Sequence, residues 1–337
     1  MLTNREKLSA ALNAVLAGTS PKEVVEQSDC FVFTGGEVLT FNDEVACRAA
    51  SPLPELEGAV PARKFLDLLA RLPDEEIDVT QADGELLIRA AKSKNKAGVR
   101  MEAEIMLPVD AVERPGKWAK LPPEFADAVR TTAACAGKDE SQFALTCLHM
   151  TPEFVEACDN FQLARFPLAL PISGGILVRA AGIRAAAAMG MTGISESDQW
   201  LHLKNDDGLT LSCRRFLEDY ADVSAHLSDE GCVPATLPGG VEESVALAKI
   251  FSGDDPLSEN ITVKLKPGRM LVEGRSTSGW YQGAMKVAYD GAEVSFMVSP
   301  DLLVEICRRS RDCKIGEGRL VVDVGKFRYV TCTHVPQ

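Results

Sequence analysis

Six stretches of this chain carry apolar residues at helical spacing, and each is followed by short alternating segments joined through tight turns. Residues 4–17 put Leu8, Ala11, Leu12, Val15 and Leu16 on one face, with Arg5, Lys7, Ser9 and Asn13 elsewhere. Residues 61–72 open with Pro61, which a first helical turn tolerates, and turn Phe65, Leu66, Leu68, Leu69 and Leu72 inward. Helices are likewise expected at 121–136, 175–189, 241–251 and 300–309. The turns that follow read Gly35-Gly36, Asp83-Gly84, Thr151-Pro152, Asp207-Gly208, Pro267-Gly268 and Gly316-Glu317-Gly318.

The helix starts fall near residues 5, 62, 122, 177, 241 and 300, so the interval stays between 55 and 64 residues. A period sustained over the whole chain predicts a repeat architecture. The fold class is α+β, with six units of one helix plus antiparallel strands. A doubly wound parallel sheet competes with this reading, but parallel neighbours need a crossover after every strand. Here two or more strands joined by tight turns precede each next helix. Residues 107–120 and 228–240 read as linkers, giving expected domains 1–112, 113–233 and 234–337.

The central stretch 143–167 reads as a run of short strands. Phe143, Leu145, Cys147 and His149 alternate with Ala144, Thr146 and Leu148. A Thr151-Pro152 turn, a segment 154–158, an Asp159-Asn160 corner and a segment 161–166 follow.

Composition narrows the function classes. Apolar residues at 46% and charged residues at 25% are ordinary for a soluble globular protein. No run of 18 consecutive apolar residues occurs and the first residues are amphipathic, so the chain reads as untargeted, cytoplasmic and without a membrane partner. The ten cysteines form no C-x-x-C pair and sit mostly in apolar runs, the pattern of buried, reduced thiols.

A net charge of −13 argues against nucleic acid until its distribution is considered. Counted over residues 4–17, 62–72, 122–138, 177–189, 241–252 and 300–311, the six helical stretches hold 13 Lys and Arg against 8 Asp and Glu, a net of +5, which leaves −18 on the rest. Cations on polar helix sides include Arg5, Lys7, Arg63, Lys64, Arg71, Arg130, Arg179, Arg184, Arg308 and Arg309. Facing one cavity, they would attract threaded phosphates while the acidic exterior repels them. The bland alternative is a solvated helix surface, since Lys and Arg are good helix formers.

Enzyme chemistry finds no support. His149, His202, His226 and His334 are scattered, and none pairs with a second ligand at metal spacing. Gly174-Gly175 and Gly239-Gly240 precede helices, yet neither belongs to a phosphate-binding fingerprint, and no nucleophile elbow appears. No cofactor is expected.

Several segments, taken in order, resemble the bacterial DNA polymerase III β subunit, a sliding clamp, over essentially the whole chain. GAVPARKFLDLLARLPDEEIDV from Gly58, followed by GELLIRA, is similar to that family's first-domain helix and strands. The run from Ala157 to Leu163, ACDNFQL, stands where the family has A-T-D-G-H-R-L. YDGAEV from Tyr289, with Val298-Ser299 after it, resembles its third-domain strand entering the last helix, and Tyr329-Val330 opens a strand like Y-V-V-M-P-M.

The resemblance implies a head-to-tail homodimer of three-domain chains, closing a six-part ring around duplex DNA without sequence preference and without chemistry of its own. It would tether a replicative DNA polymerase by topology and be opened by an ATP-driven clamp loader. A partner-peptide groove would be lined by Leu145 or its neighbour Ala144, by Asp159, Asn160, Phe161, Gln162 and Leu163, and by Val330, Thr331, Cys332, Thr333 and His334. Asn160, Phe161 and Gln162 replace G-H-R and Thr331 to His334 replace V-M-P-M, which points to a divergent clamp matched to its own polymerase, from a bacteriophage or other mobile element. For the ring joint, Ile250 and Phe251 match the family's apolar pair, opposed by Met101 and Ala103. A rival reading keeps the fold but not the ring: an adaptor or decoy that binds a host polymerase or loader.

Overall fold

A computed structural model of the chain describes residues 1–90, 92–252, 259–316 and 318–332. Its helices are α1 (Arg5–Val15), α2 (Ala62–Arg71), α3 (Phe125–Thr132), α4 (Ala180–Ile183), α5 (Val241–Lys249) and α6 (Pro300–Arg309). The chain divides into two compact units, residues 1–126 with 181–216, and residues 127–180 with 217–337.

In the first unit α1 begins where the Asn4 side chain accepts a hydrogen bond from the Lys7 amide at 3.0 Å, a cap for an otherwise orphaned donor. Leu8, Leu12 and Val15 are its buried face, and α2 buries Ala62, Phe65 and Leu69. Each large side chain removed from water contributes roughly 1.5–3 kcal/mol. The Thr40 hydroxyl donates to the Val15 carbonyl at 2.6 Å, occupying an acceptor that the end of α1 leaves open.

An antiparallel sheet of this unit runs, neighbour to neighbour, through Gly58–Pro61, Cys30–Thr34, Glu37–Phe41, Val45–Ala50, Thr210–Phe216, Trp200–Lys204, Gly193–Glu196 and Ala119–Lys120. A smaller sheet runs Leu2–Asn4, Glu76–Ala82, Glu85–Ala90, Lys96–Arg100.

The second unit repeats the plan. Its larger antiparallel array runs Val233–Thr236, Asp312–Gly316, Arg319–Val324, Phe327–Cys332, Gln162–Pro167, Phe154–Cys158, Cys147–Met150, Ile176–Arg179. Its smaller sheet runs Gly279–Lys286, Arg269–Ser276, Ile261–Lys266, Val294–Val298. Helix α5 lies so close to this sheet that a Cβ on Gly274 would come 2.0 Å from the Ala248 carbonyl oxygen, so only glycine fits there.

The α+β class and the tight turns agree with the sequence reading, while several boundaries move. Residues 176–179, expected to open an alanine-rich helix, instead form a strand against Cys147–Met150. The apolar Ile176, Leu177 and Val178 suit a ladder, and helix waits for Ala180. The alternation at 143–146 is not a strand either, because a 3-10 turn spans Glu140–Thr146. Asp139 caps it at the Ser141 amide, 2.9 Å, and the Thr146 hydroxyl donates to the Phe143 carbonyl, 2.6 Å. Helix 121–136 shortens to Phe125–Thr132. Both expected linkers contain a strand, Ala119–Lys120 and Val233–Thr236. Glu317, in the last turn, lies outside the described residues.

Candidate functional site

The Asp159 corner is built by local hydrogen bonding. One carboxylate oxygen accepts from the Phe161 and Gln162 amides at 2.7 and 2.8 Å, and the other accepts from the Gln162 side chain at 2.9 Å. Burial nevertheless raises the Asp159 pKa above the ordinary carboxylate range, the three hydrogen bonds opposing it. The strand leaving this corner pairs Gln162 with Thr331 and Leu163 with Val330. The Phe161 carbonyl accepts from the Cys332 amide at 2.7 Å and from the Thr331 hydroxyl at 3.2 Å.

Together these residues line a groove of about 370 Å³ with Cys158, Val223, His226, Gly318 and Arg319. Leu145 packs on the Cys158, Leu163 and Val223 cluster beneath it. Phe161 stands at its lip, 41% exposed. Thr333 and His334, also expected here, lie outside the described residues.

The opposite wall, residues 220–227, was missed from sequence. Tyr220, Val223 and Leu227 pack on the same cluster and recur at one-face spacing, which was the available signal. Tyr220 fixes the wall: its hydroxyl donates to the Cys158 sulfur at 3.1 Å and its ring stacks on His149 at 4.8 Å. Burial pushes the Tyr220 hydroxyl well above its usual pKa and also raises the Cys158 thiol. The groove thus offers apolar surface and backbone edges with no activated nucleophile. Among the described residues no group of His, Cys, Asp and Glu is arranged to hold a metal ion.

The cations divide into exposed and internally committed. Lys7, Arg63, Lys64 and Arg71 are exposed, and Arg5 and Arg63 line an open trough of about 620 Å³ along α1 and α2. Arg5 is half-buried and donates to the Leu69 carbonyl at 3.2 Å, so it also ties the two helices together. Arg130 is exposed, 3.5 Å from Asp127, and Arg308 is exposed, 3.9 Å from Glu305. Arg184 is exposed and Arg309 ends α6. Arg179 lies on a strand, 13% exposed, paired with Glu140 at 2.5 Å, hydrogen-bonded to Thr146 and set over the Phe143 ring. Its guanidinium belongs to an internal network.

Of the joint residues, Ile250 is 68% exposed and Phe251 half-buried. Met101 is buried in its own unit while Ala103 is exposed. Lys96–Arg100 and Gly279–Lys286 are each the last strand of a sheet, with no strand partner on one side among the described residues. Trp280 and Leu247, 65% and 47% exposed, extend the apolar surface on the Ile250 side and were not foreseen from sequence.

Among the described residues the antiparallel sheets and the six helices make up the fold seen in DNA sliding clamps. No family model and no curated protein matches the sequence. Solved structures do. The DNA polymerase III β subunit of Thermotoga maritima is similar with a TM-score of 0.76 at 12% identity, covering 100% of this chain and 99% of that one. The sliding clamp of Pseudomonas aeruginosa gives 0.75 at 15% identity, covering 100% and 99%. The β chain of Streptococcus pneumoniae gives 0.74 at 14% identity, covering 99% of each. At such identities it is the fold that is shared, and it is shared from end to end.

Proposed function

We propose that this chain is a sliding clamp: a divergent DNA polymerase III β-type processivity factor that encircles duplex DNA as a head-to-tail homodimer and tethers a polymerase. The end-to-end likeness to bacterial clamps carries the reading, and the Asp159 groove and the cationic faces of α1 and α2 support it. Weak, backbone-directed contacts suffice for a protein that holds DNA by topology, so a net charge of −13 is compatible with the role. In this reading the chain has three domains, 1–112, 113–233 and 234–337, and no catalytic activity. A clamp loader opens the ring, and partner peptides enter the groove at Phe161 and Leu163. No helix among the described residues is long and apolar enough to cross a membrane.

The joint is proposed between the Gly279–Lys286 edge, with Ile250, Phe251 and Trp280, and the Lys96–Arg100 edge of a second copy. The adaptor reading shares the fold and differs in topology. Both are tested by incubating the protein at high concentration with nicked circular DNA, isolating the complex, and cutting half of the sample. A clamp stays on the circle and leaves the linear product, and light scattering gives about twice the 36.3 kDa chain mass. Equal loss from both DNAs by a monomer overturns the ring.

A further inference from the structure

The first unit contains the Asp159 corner a second time. The hairpin Glu37–Phe41/Val45–Ala50 pairs Glu37 with Ala50 through Phe41 with Ala46, as Phe154–Cys158/Gln162–Pro167 pairs Phe154 with Pro167 through Cys158 with Leu163. Asn42 stands at the Asp159 position. Its side-chain oxygen accepts from the Glu44 and Val45 amides at 3.2 and 2.8 Å, as Asp159 accepts from Phe161 and Gln162. The next strand matches as well, since Val45 faces Cys213 where Gln162 faces Thr331. A 3-10 turn, Val109–Ala111, stands over the first corner as Ser224–Leu227 stands over the second.

The second copy also leaves a cavity, and a larger one. About 500 Å³ opens over Leu39, Phe41, Ala46 and Cys47, walled by Val109 and Val112, against about 370 Å³ at the Asp159 corner. Ala46 occupies the register position of Leu163, so the floor has lost most of a side chain and has room for a ring.

The charges at its rim are not equivalent. Glu37 is paired with Arg48 at 3.1 Å, and the Glu113 carboxylate is turned to the Gln199 amide, from which it accepts at 3.3 Å. Arg114 is exposed and has no hydrogen-bond or ion-pair partner among the described residues. Of the rim charges, Arg114 is therefore the one left without a partner among the described residues.

We propose that this cavity is a second docking groove, distinct from the Asp159 groove, for an extended segment of a partner protein that presents an aromatic side chain to the Ala46 floor and a carboxylate to Arg114. It goes beyond the clamp reading and holds whether or not the chain encircles DNA. Such a segment binds by apolar burial, with the carboxylate setting orientation and selectivity.

The test is methyl NMR of the full chain titrated with acetyl-Ala-Phe-Leu-Asp-amide and with its Asn counterpart. Saturable shifts at Leu39, Val109 and Val112 are expected, with the Asn peptide about fivefold weaker, the size of a partly exposed ion pair. Arg114→Ala should remove that fivefold preference, and its exposed position leaves folding untouched. Ala46→Leu, which restores the side chain of the other corner, should weaken the acidic peptide about tenfold or more, in line with lost burial of a ring. The proposal fails if those methyls stay still at millimolar peptide, or if Arg114→Ala leaves the preference for Asp over Asn intact.

Discussion

The two copies of the hairpin share a backbone and differ in what they bury. In the first unit Val32 and Leu39 face each other across the ladder and sit in an apolar cluster with Phe41 and Trp200. At the same register in the second unit stand His149 and Glu156. Glu156 is 2% exposed, 2.8 Å from His149 and 2.6 Å from Arg165. Arg48 and Arg165 are equivalent too, but Arg48 meets Glu37 at the surface, 46% exposed, whereas Arg165 is 17% exposed and lies over the Phe154 ring. The ladder geometry thus tolerates opposite solutions, because backbone hydrogen bonds set the register and the buried side chains need only satisfy one another. The charged solution does something more. His149 stacks on Tyr220 and Arg165 donates to Ser224 at 3.1 Å, so the triad anchors the wall of the Asp159 groove.

The comparison breaks most visibly at Glu156. Removing one member of a buried ion-pair cluster leaves uncompensated charge, so Glu156→Ala should cost about 4 kcal/mol in urea denaturation and loosen the groove wall. A cost below about 1 kcal/mol would mean that the triad is solvated and not an anchor.

Next comes acid. His202, buried in the first unit, holds its ring between Ser212 at 2.8 Å and Ser197 at 3.3 Å, and burial pushes its pKa down to about 4 from an ordinary 6.5. The unfolded chain binds the proton more readily, so this contribution is complete above about pH 6.5 and is lost as pH falls towards 4, about 3 kcal/mol in all. His202→Gln should flatten that stretch of the stability profile. An unchanged slope would assign the acid sensitivity to other groups.

The smallest effect separates the paired arginines. Arg165→Ala should cost about 2 kcal/mol, since Glu156 keeps only His149, while Arg48→Ala should cost less than about 0.5 kcal/mol, as surface pairs do. Equal costs in thermal melts would erase the distinction between the two corners.

Much of the α+β plan was legible because it rests on local chemistry. Gly35-Gly36, Asp83-Gly84, Asp207-Gly208 and Pro267-Gly268 each close a hairpin, and 300–309 forms a helix over the expected span. The groove was half legible: Asp159, Leu163, Val330 and Thr331 line it, but Val223 and His226 come from a stretch without a recognised element. Arg179 looked like a helix-surface cation and lies instead in a strand, because its pairing with Cys147 was invisible in the local pattern. The repeated corner was harder to see. Asn42 and Asp159 differ in type, Leu39 and Glu156 in polarity, and only their shared pairing identifies them.

By itself, then, the sequence determined periodicity, turn positions and the absence of catalytic motifs, since these depend on residues near one another in the chain. The tertiary structure decided which cations remain exposed, which carboxylate is buried, and that two distant hairpins each build a groove. Those outcomes depend on desolvation and on partners far away in sequence, which no local pattern encodes.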